Sequence, residues 1–120
     1  MNVFQDTLRL IAERVEGTRA VSLVGVDGIA IDSYVSAEGL PMESLAAEAG
    51  ALVKAARAAG ALTDHGALQQ VTVASDGAVT VVSRVTEEYY LLLSLARDGN
   101  FGRGRFELKK AAAALEKELL

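Results

Sequence analysis

Two Asp-Gly pairs, Asp27-Gly28 and Asp76-Gly77, each sit between short runs rich in valine, isoleucine and threonine. No other feature restricts the possible folds as strongly. Glycine takes up the positive φ angles of a tight turn at little steric cost, so Asp-Gly between two such runs predicts a β-hairpin. The first pair joins residues 20–26 to 29–35 and the second joins 68–75 to 79–85. Hairpins this tight require antiparallel pairing. Residues 89–96, Y-Y-L-L-L-S-L-A, are almost continuously apolar, as expected of a fifth strand covered on both faces at the middle of the sheet. Gln69, Gln70, Thr72 and Ser75 make the third strand partly polar, which suits an edge.

Between and around these strands the apolar period changes to that of a helix. Phe4, Leu8, Ile11 and Val15 recur at i, i+4, i+7 and i+11, and Gly17 ends the pattern. Leu108, Ala112, Leu115 and Leu119 repeat that spacing near the C-terminus, with Lys109, Lys110, Glu116, Lys117 and Glu118 on other faces. After Pro41, placed for a first helical turn, residues 42–60 form a third helix of different character. Leu45, Ala49, Leu52, Ala56 and Ala59 make one apolar face; Ala46, Gly50, Val53 and Gly60, interrupted by Arg57, make a second. A sheet covers one side of such a helix. The other apolar side is expected to meet a second copy of the chain or a partner; the alternative is a helix rich in alanine simply because alanine favours helix.

The order helix, two strands, helix, three strands, helix predicts an α/β (α+β) sandwich built as one domain over residues 1–120, a length that supports one sizeable core. No apolar run approaches the roughly 20 residues of a membrane helix. The N-terminal residues lack the features of a secretion signal, and the absence of cysteine suits a reducing, cytoplasmic setting. A net charge of −4 argues against nucleic acid as the main partner.

Groups that could do chemistry are sparse. His65 is the single histidine and lies in the polar stretch T-D-H-G, a poor place to exclude water. Asp64 beside it is too little for a metal. Glu87-Glu88 falls at a turn, where two like charges are most simply solvated. Gly99, Gly102 and Gly104 precede the last helix, but their spacing matches no phosphate-binding loop. Asp98-Gly99-Asn100 reads as a turn with Asn100 as helix cap, and Arg103 and Arg105 are expected to be solvated. No catalytic residue, metal or cofactor is expected. Arg57, Arg84, Arg103 and Arg105 are nominal arginine fingers with nothing in their contexts to distinguish them.

The combination of D-G-I-A-I-D-S in the first hairpin, M-E-S-L-A-A-E-A-G-A-L-V-K-A-A-R in the middle helix, Y-Y-L-L-L-S-L-A in the last strand and D-G-N-F-G-R-G-R-F-E-L-K-K-A at the last helix resembles the Roadblock/dynein light chain family, in its compact bacterial, MglB-like form. The resemblance implies an α-β-β-α-β-β-β-α fold with a five-stranded antiparallel sheet, the middle helix on one face and the terminal helices on the other. It also implies dimerisation through the middle helices and third strands. Ala46, Gly50, Val53 and Arg57, with Gln69, Gln70, Val71, Thr72 and Val73, are the dimer-interface residues expected on this basis. Paired middle helices form the platform on which a small Ras-like GTPase of the MglA type docks, with Ala47, Gly50, Ala51, Lys54 and Ala58 near it. The implied role is regulation of that GTPase's nucleotide state in bacterial polarity or motility. MglB-type members often carry a C-terminal extension, whereas this sequence stops at Leu120. A short, MglC-type paralogue acting as an adaptor for other Roadblock subunits or polarity proteins, without effect on GTP hydrolysis, is the alternative expectation.

Overall fold

A computed structural model describes residues 2–119 of the chain. The elements run α1 (Val3–Arg14), β1 (Thr18–Gly25), β2 (Ala30–Val35), α2 (Met42–Thr63), β3 (Gln70–Ala74), β4 (Val79–Arg84), β5 (Tyr89–Leu95) and α3 (Phe101–Leu119). The strands form one sheet in the order β2-β1-β5-β4-β3, with every neighbouring pair antiparallel. Thus β5 is central, and β2 and β3 are the edges.

Alternation along the strands separates two cores. Leu91, Leu93 and Leu95 point with Val21, Leu23, Val79 and Val81 toward α1 and α3, which contribute Leu8, Ile11, Leu108 and Leu115. Tyr90 and Leu92 point the other way with Val24 and Val82, toward Ala46, Ala49 and Val53 of α2. Successive side chains of a strand face opposite sides, so the apolar run of β5 serves both layers. Fully burying each of its leucines contributes about 1.5–3 kcal/mol.

Both predicted hairpins form, by different turns. At the first, Gly28 N–H donates to Gly25 C=O at 2.9 Å and Gly28 alone takes a left-handed φ, +84°. At the second, Ser75 N–H donates to Ala78 C=O at 2.9 Å and neither Asp76 nor Gly77 has positive φ. The mirror-image turn geometry that the Asp-Gly pairs suggest is therefore not what closes them.

Helix ends differ from expectation in one consequential place. Asn100 does cap α3, its side-chain oxygen accepting from Arg103 N–H at 3.0 Å. At α2, Gly60 does not stop the helix, which runs to Thr63 and ends on Asp64 in the left-handed region at φ 56°. One glycine costs a helix about 1 kcal/mol, which the alanines around it absorb. The extra turn carries Leu62 into solvent.

Candidate functional site

The side of α2 turned away from the sheet presents a stripe of small apolar side chains to solvent. Ala47, Ala51, Lys54 and Ala58 lie at i, i+4, i+7 and i+11 and are all exposed. One more turn along, Leu62 is 89% exposed. Ala55 widens the stripe. Leu62 lies beyond the helix end expected at Gly60, and Ala55 lies outside both apolar faces expected from periodicity. The signal was present in the spacing, since 62 continues the 47-51-58 series.

Beside this stripe lies the free edge of β3, which pairs only with β4 among the described residues. Val71 and Val73 stand opposite Val82 and Thr80 and so face α2 half-buried, whereas Gln70 and Thr72 stand opposite Ser83 and Val81 and face α3. Gln70 is committed there: it accepts from Arg105 Nε at 3.1 Å and donates to Arg105 C=O and Ser83 Oγ, both at 3.2 Å. Gln69, just before the strand, is exposed.

Several expected interface residues belong instead to the interior of the chain. Ala46 and Val53 are each 1% exposed and pack on the sheet. Gly50 is buried against the first hairpin; a Cβ on it would lie 2.9 Å from Gly28 Cα. The helix is apolar around most of its circumference, so periodicity alone does not reveal which side the sheet takes. Arg57 is also engaged: its Nη2 donates to the Tyr90 hydroxyl at 2.9 Å and to Glu87 C=O, and its guanidinium lies 5.5 Å from the Tyr90 ring centroid. The expected set thus divides. Ala47, Ala51, Lys54 and Ala58 share an outer stripe; Ala46, Gly50 and Val53 lie beneath the helix.

Possible sites of chemistry resolve differently. Gly102 and Gly104 lie inside α3, and Gly104 is buried where a Cβ would come 2.7 Å from Leu93 Cδ2, so it serves close packing of helix on sheet. Arg103 is exposed, as expected, and also donates from Nε to Glu107 at 3.0 Å. His65 is exposed at the rim of a hollow of about 1000 Å³ at the C-terminal end of α2, whose lining mixes alanine and glycine with Arg57, Asp64, Arg84 and Glu87. Its imidazole makes no hydrogen bond among the described residues. No group of three or more metal-ligating side chains occurs among them either, and none of their helices is long and apolar enough to cross a membrane.

Residues 4–94 match the model of the Roadblock/LC7 domain. The chain belongs to the Roadblock/LC7 family. This Roadblock chain is 35% identical to MglC from Myxococcus xanthus over 96% of its own length and 98% of that protein's, at a TM-score of 0.69. A Roadblock/LC7 domain from Streptomyces avermitilis superposes at TM-score 0.85 with 22% identity and 94% of each chain covered. An MglB solved in a tetrameric arrangement superposes at 0.85 with 19% identity, covering 94% of this chain and 85% of that one. Identity and superposition rank these relatives differently. The 35% identity carries the kinship, and the two tighter superpositions carry the fold alone. No curated protein matches the chain.

Proposed function

We propose that this Roadblock chain is a single non-catalytic module that dimerises through the outer face of α2 and the free edge of β3. The paired α2 helices then form a platform for a small Ras-like GTPase of the MglA type, whose nucleotide state the dimer biases in bacterial polarity or motility signalling. The observation that carries this reading is the exposed stripe Ala47-Ala51-Ala58-Leu62, with Lys54 as the charged residue along its line. Small side chains let a second helix approach closely, and a leucine exposed to 89% gains up to about 1.5–3 kcal/mol when a partner covers it. The tetrameric arrangement of an MglB relative supports self-association, and kinship with MglC supports the setting.

A platform of this kind changes GTP turnover only by preferring one conformation of the GTPase over another. Arg57 is held by Tyr90 and Glu87, and Arg103 by Glu107. The 35% identity to MglC, against 19% to the tetrameric MglB, favours a second reading, a structural adaptor that leaves hydrolysis untouched. Turnover by an MglA-type GTPase, measured with and without the protein, separates the two. A changed rate that reverts with Ala51→Glu supports the regulatory reading; complex formation at an unchanged rate supports the adaptor.

A further inference from the structure

The sheet ends in two edges, and they are not alike. At β3, Arg84 N–H donates to Gln69 C=O at 2.8 Å, so by alternation the backbone groups of Gln70, Thr72 and Ala74 turn to the open side. No side chain hydrogen-bonds to them among the described residues. At β2, Ser36 N–H donates to Arg19 C=O at 2.9 Å, which turns the backbone groups of Ser33 and Val35 to the open side. Both groups of Ser33 are already taken. Its N–H donates to Asp32 Oδ1 at 2.9 Å, and its C=O accepts from Gln5 Nε2 at 3.3 Å. Gln5 Nε2 also donates to Asp32 Oδ1 at 2.6 Å, and Asn2 Nδ2 donates to Asp32 Oδ2 at 3.3 Å. Asn2 in turn caps α1, its Oδ1 accepting from Phe4 N–H at 3.0 Å. The start of α1 is thereby fastened to the middle of the β2 edge.

We propose that Asn2, Gln5 and Asp32 form a strap that closes the β2 edge to a second copy of the chain, leaving the sheet extendable at β3 alone. An edge strand offers unpaired backbone groups to other strands, and proteins commonly blunt it with lysine, proline or a bulge. Residues 29–35 contain neither lysine nor proline. The one irregularity in pairing with β1 lies between the partners of Ala30 and Asp32, so the ladder from Asp32 to Val35 is regular. Ile29, Ile31 and Val35 are exposed along it. The strand is also self-complementary. Set antiparallel to its own copy with Ser33 opposite Ser33, it places Ile31 opposite Val35 and Asp32 opposite Tyr34, with no like charges opposed. In that register the two serines would exchange both backbone hydrogen bonds, and those are the groups the strap occupies. A module with two open edges can add copies at both ends, whereas one with a single open edge stops at a pair. The inference goes beyond the proposed function and does not rest on it, because β2 and β3 lie at opposite ends of the sheet.

Sedimentation velocity and amide hydrogen exchange test this with Asp32→Ala, made both in the parent sequence and in Ala51→Glu, each compared with its own background. In Ala51→Glu the added change should raise the weight-average mass about twofold at high concentration, since one isologous contact joins two copies. In the parent sequence the mass should also rise above that of its background. The amides of Ser33 and Val35 should gain protection as concentration increases. Ile31→Lys sets a lysine on the edge at an exposed position and should return Asp32→Ala to the mass of its background. Gln5→Ala frees the Ser33 carbonyl while keeping Asp32, and gives an independent reading if Asp32→Ala folds poorly. Association of either variant, reversed by Ile31→Lys, supports the strap. If neither associates beyond its background, if association persists with Ile31→Lys, or if it proceeds without protection at Ser33 and Val35, the strap is overturned. Each comparison stays within one background, so a parent that proves monomeric sinks the α2 platform without touching this result, and the reverse also holds.

Discussion

Gly50 shows how one residue can read plausibly and still be misplaced. By spacing it belongs to a band of small residues open to a partner; in the structure it is the point where α2 rests on the first hairpin. A Cβ there would stand 2.9 Å from Gly28 Cα, 3.1 Å from Gly28 N and 3.3 Å from Val26 O. All three are backbone atoms that no rotamer change can move away. Two effects compete in Gly50→Ala. Alanine favours a helix interior over glycine by about 0.5–1 kcal/mol, and overpacking a close contact costs about 1–3 kcal/mol. The clash should win, with a net loss on the order of 1–2 kcal/mol by urea or guanidinium denaturation. A variant as stable as the parent would refute this contact. The same geometry makes Gly50→Arg a lesion of the folded chain, where the helical pattern alone suggests a change confined to an interface. The Asp-Gly turns were legible because their chemistry is local. The role of Gly50 was not, because it depends on a loop more than twenty residues earlier in the chain.

Between elements, α1 and α3 are tied by a carboxylate that periodicity leaves unremarked. Glu107 is 3% exposed, and receives Arg103 at 3.0 Å and Lys110 at 4.0 Å from its own helix and Arg14 at 3.4 Å from α1. Removing such an acceptor leaves one α1 and two α3 cations without their carboxylate. Those cations are 40–57% exposed, so water recovers much of the loss. Glu107→Gln should therefore cost only about 1–2 kcal/mol, and the difference from the parent should shrink as salt is added. An equal loss at low and high salt would mean that packing, not charge, sets the penalty. The apolar partners of this seam, Leu8, Ile11, Leu108 and Leu115, were legible from their i, i+4, i+7 spacing. Glu107 was not, because burial of a charged residue depends on where two helices touch. For α2 the limit is different: a helix with apolar residues nearly all round has a weak directional signal, so its existence could be read but not its orientation.

At the scale of the molecule, element order, the central β5 and the β3 edge could all be read from the chain. What covers the outer face of α2 could not, because that face has no partner among the described residues. If a second copy covers it, folding and association are linked, and stability must rise with concentration by mass action. A hundredfold increase in protein adds about 2.7 kcal/mol to a dimer that melts directly to unfolded chains. Spread over two chains of this size, that shifts the melting temperature by roughly 5–10 °C. Ala51→Glu places a charge at the middle of the stripe, where it would have to be buried against an apolar face in the dimer, yet in the monomer it faces solvent on a helix that tolerates glutamate well. The variant should melt at one temperature whatever its concentration, near that of the parent at high dilution, and sediment as a monomer. A parent whose melting temperature does not move with concentration would sink the dimer. A variant that keeps the concentration dependence would instead move the interface away from α2, leaving the β3 edge to hold the copies together alone.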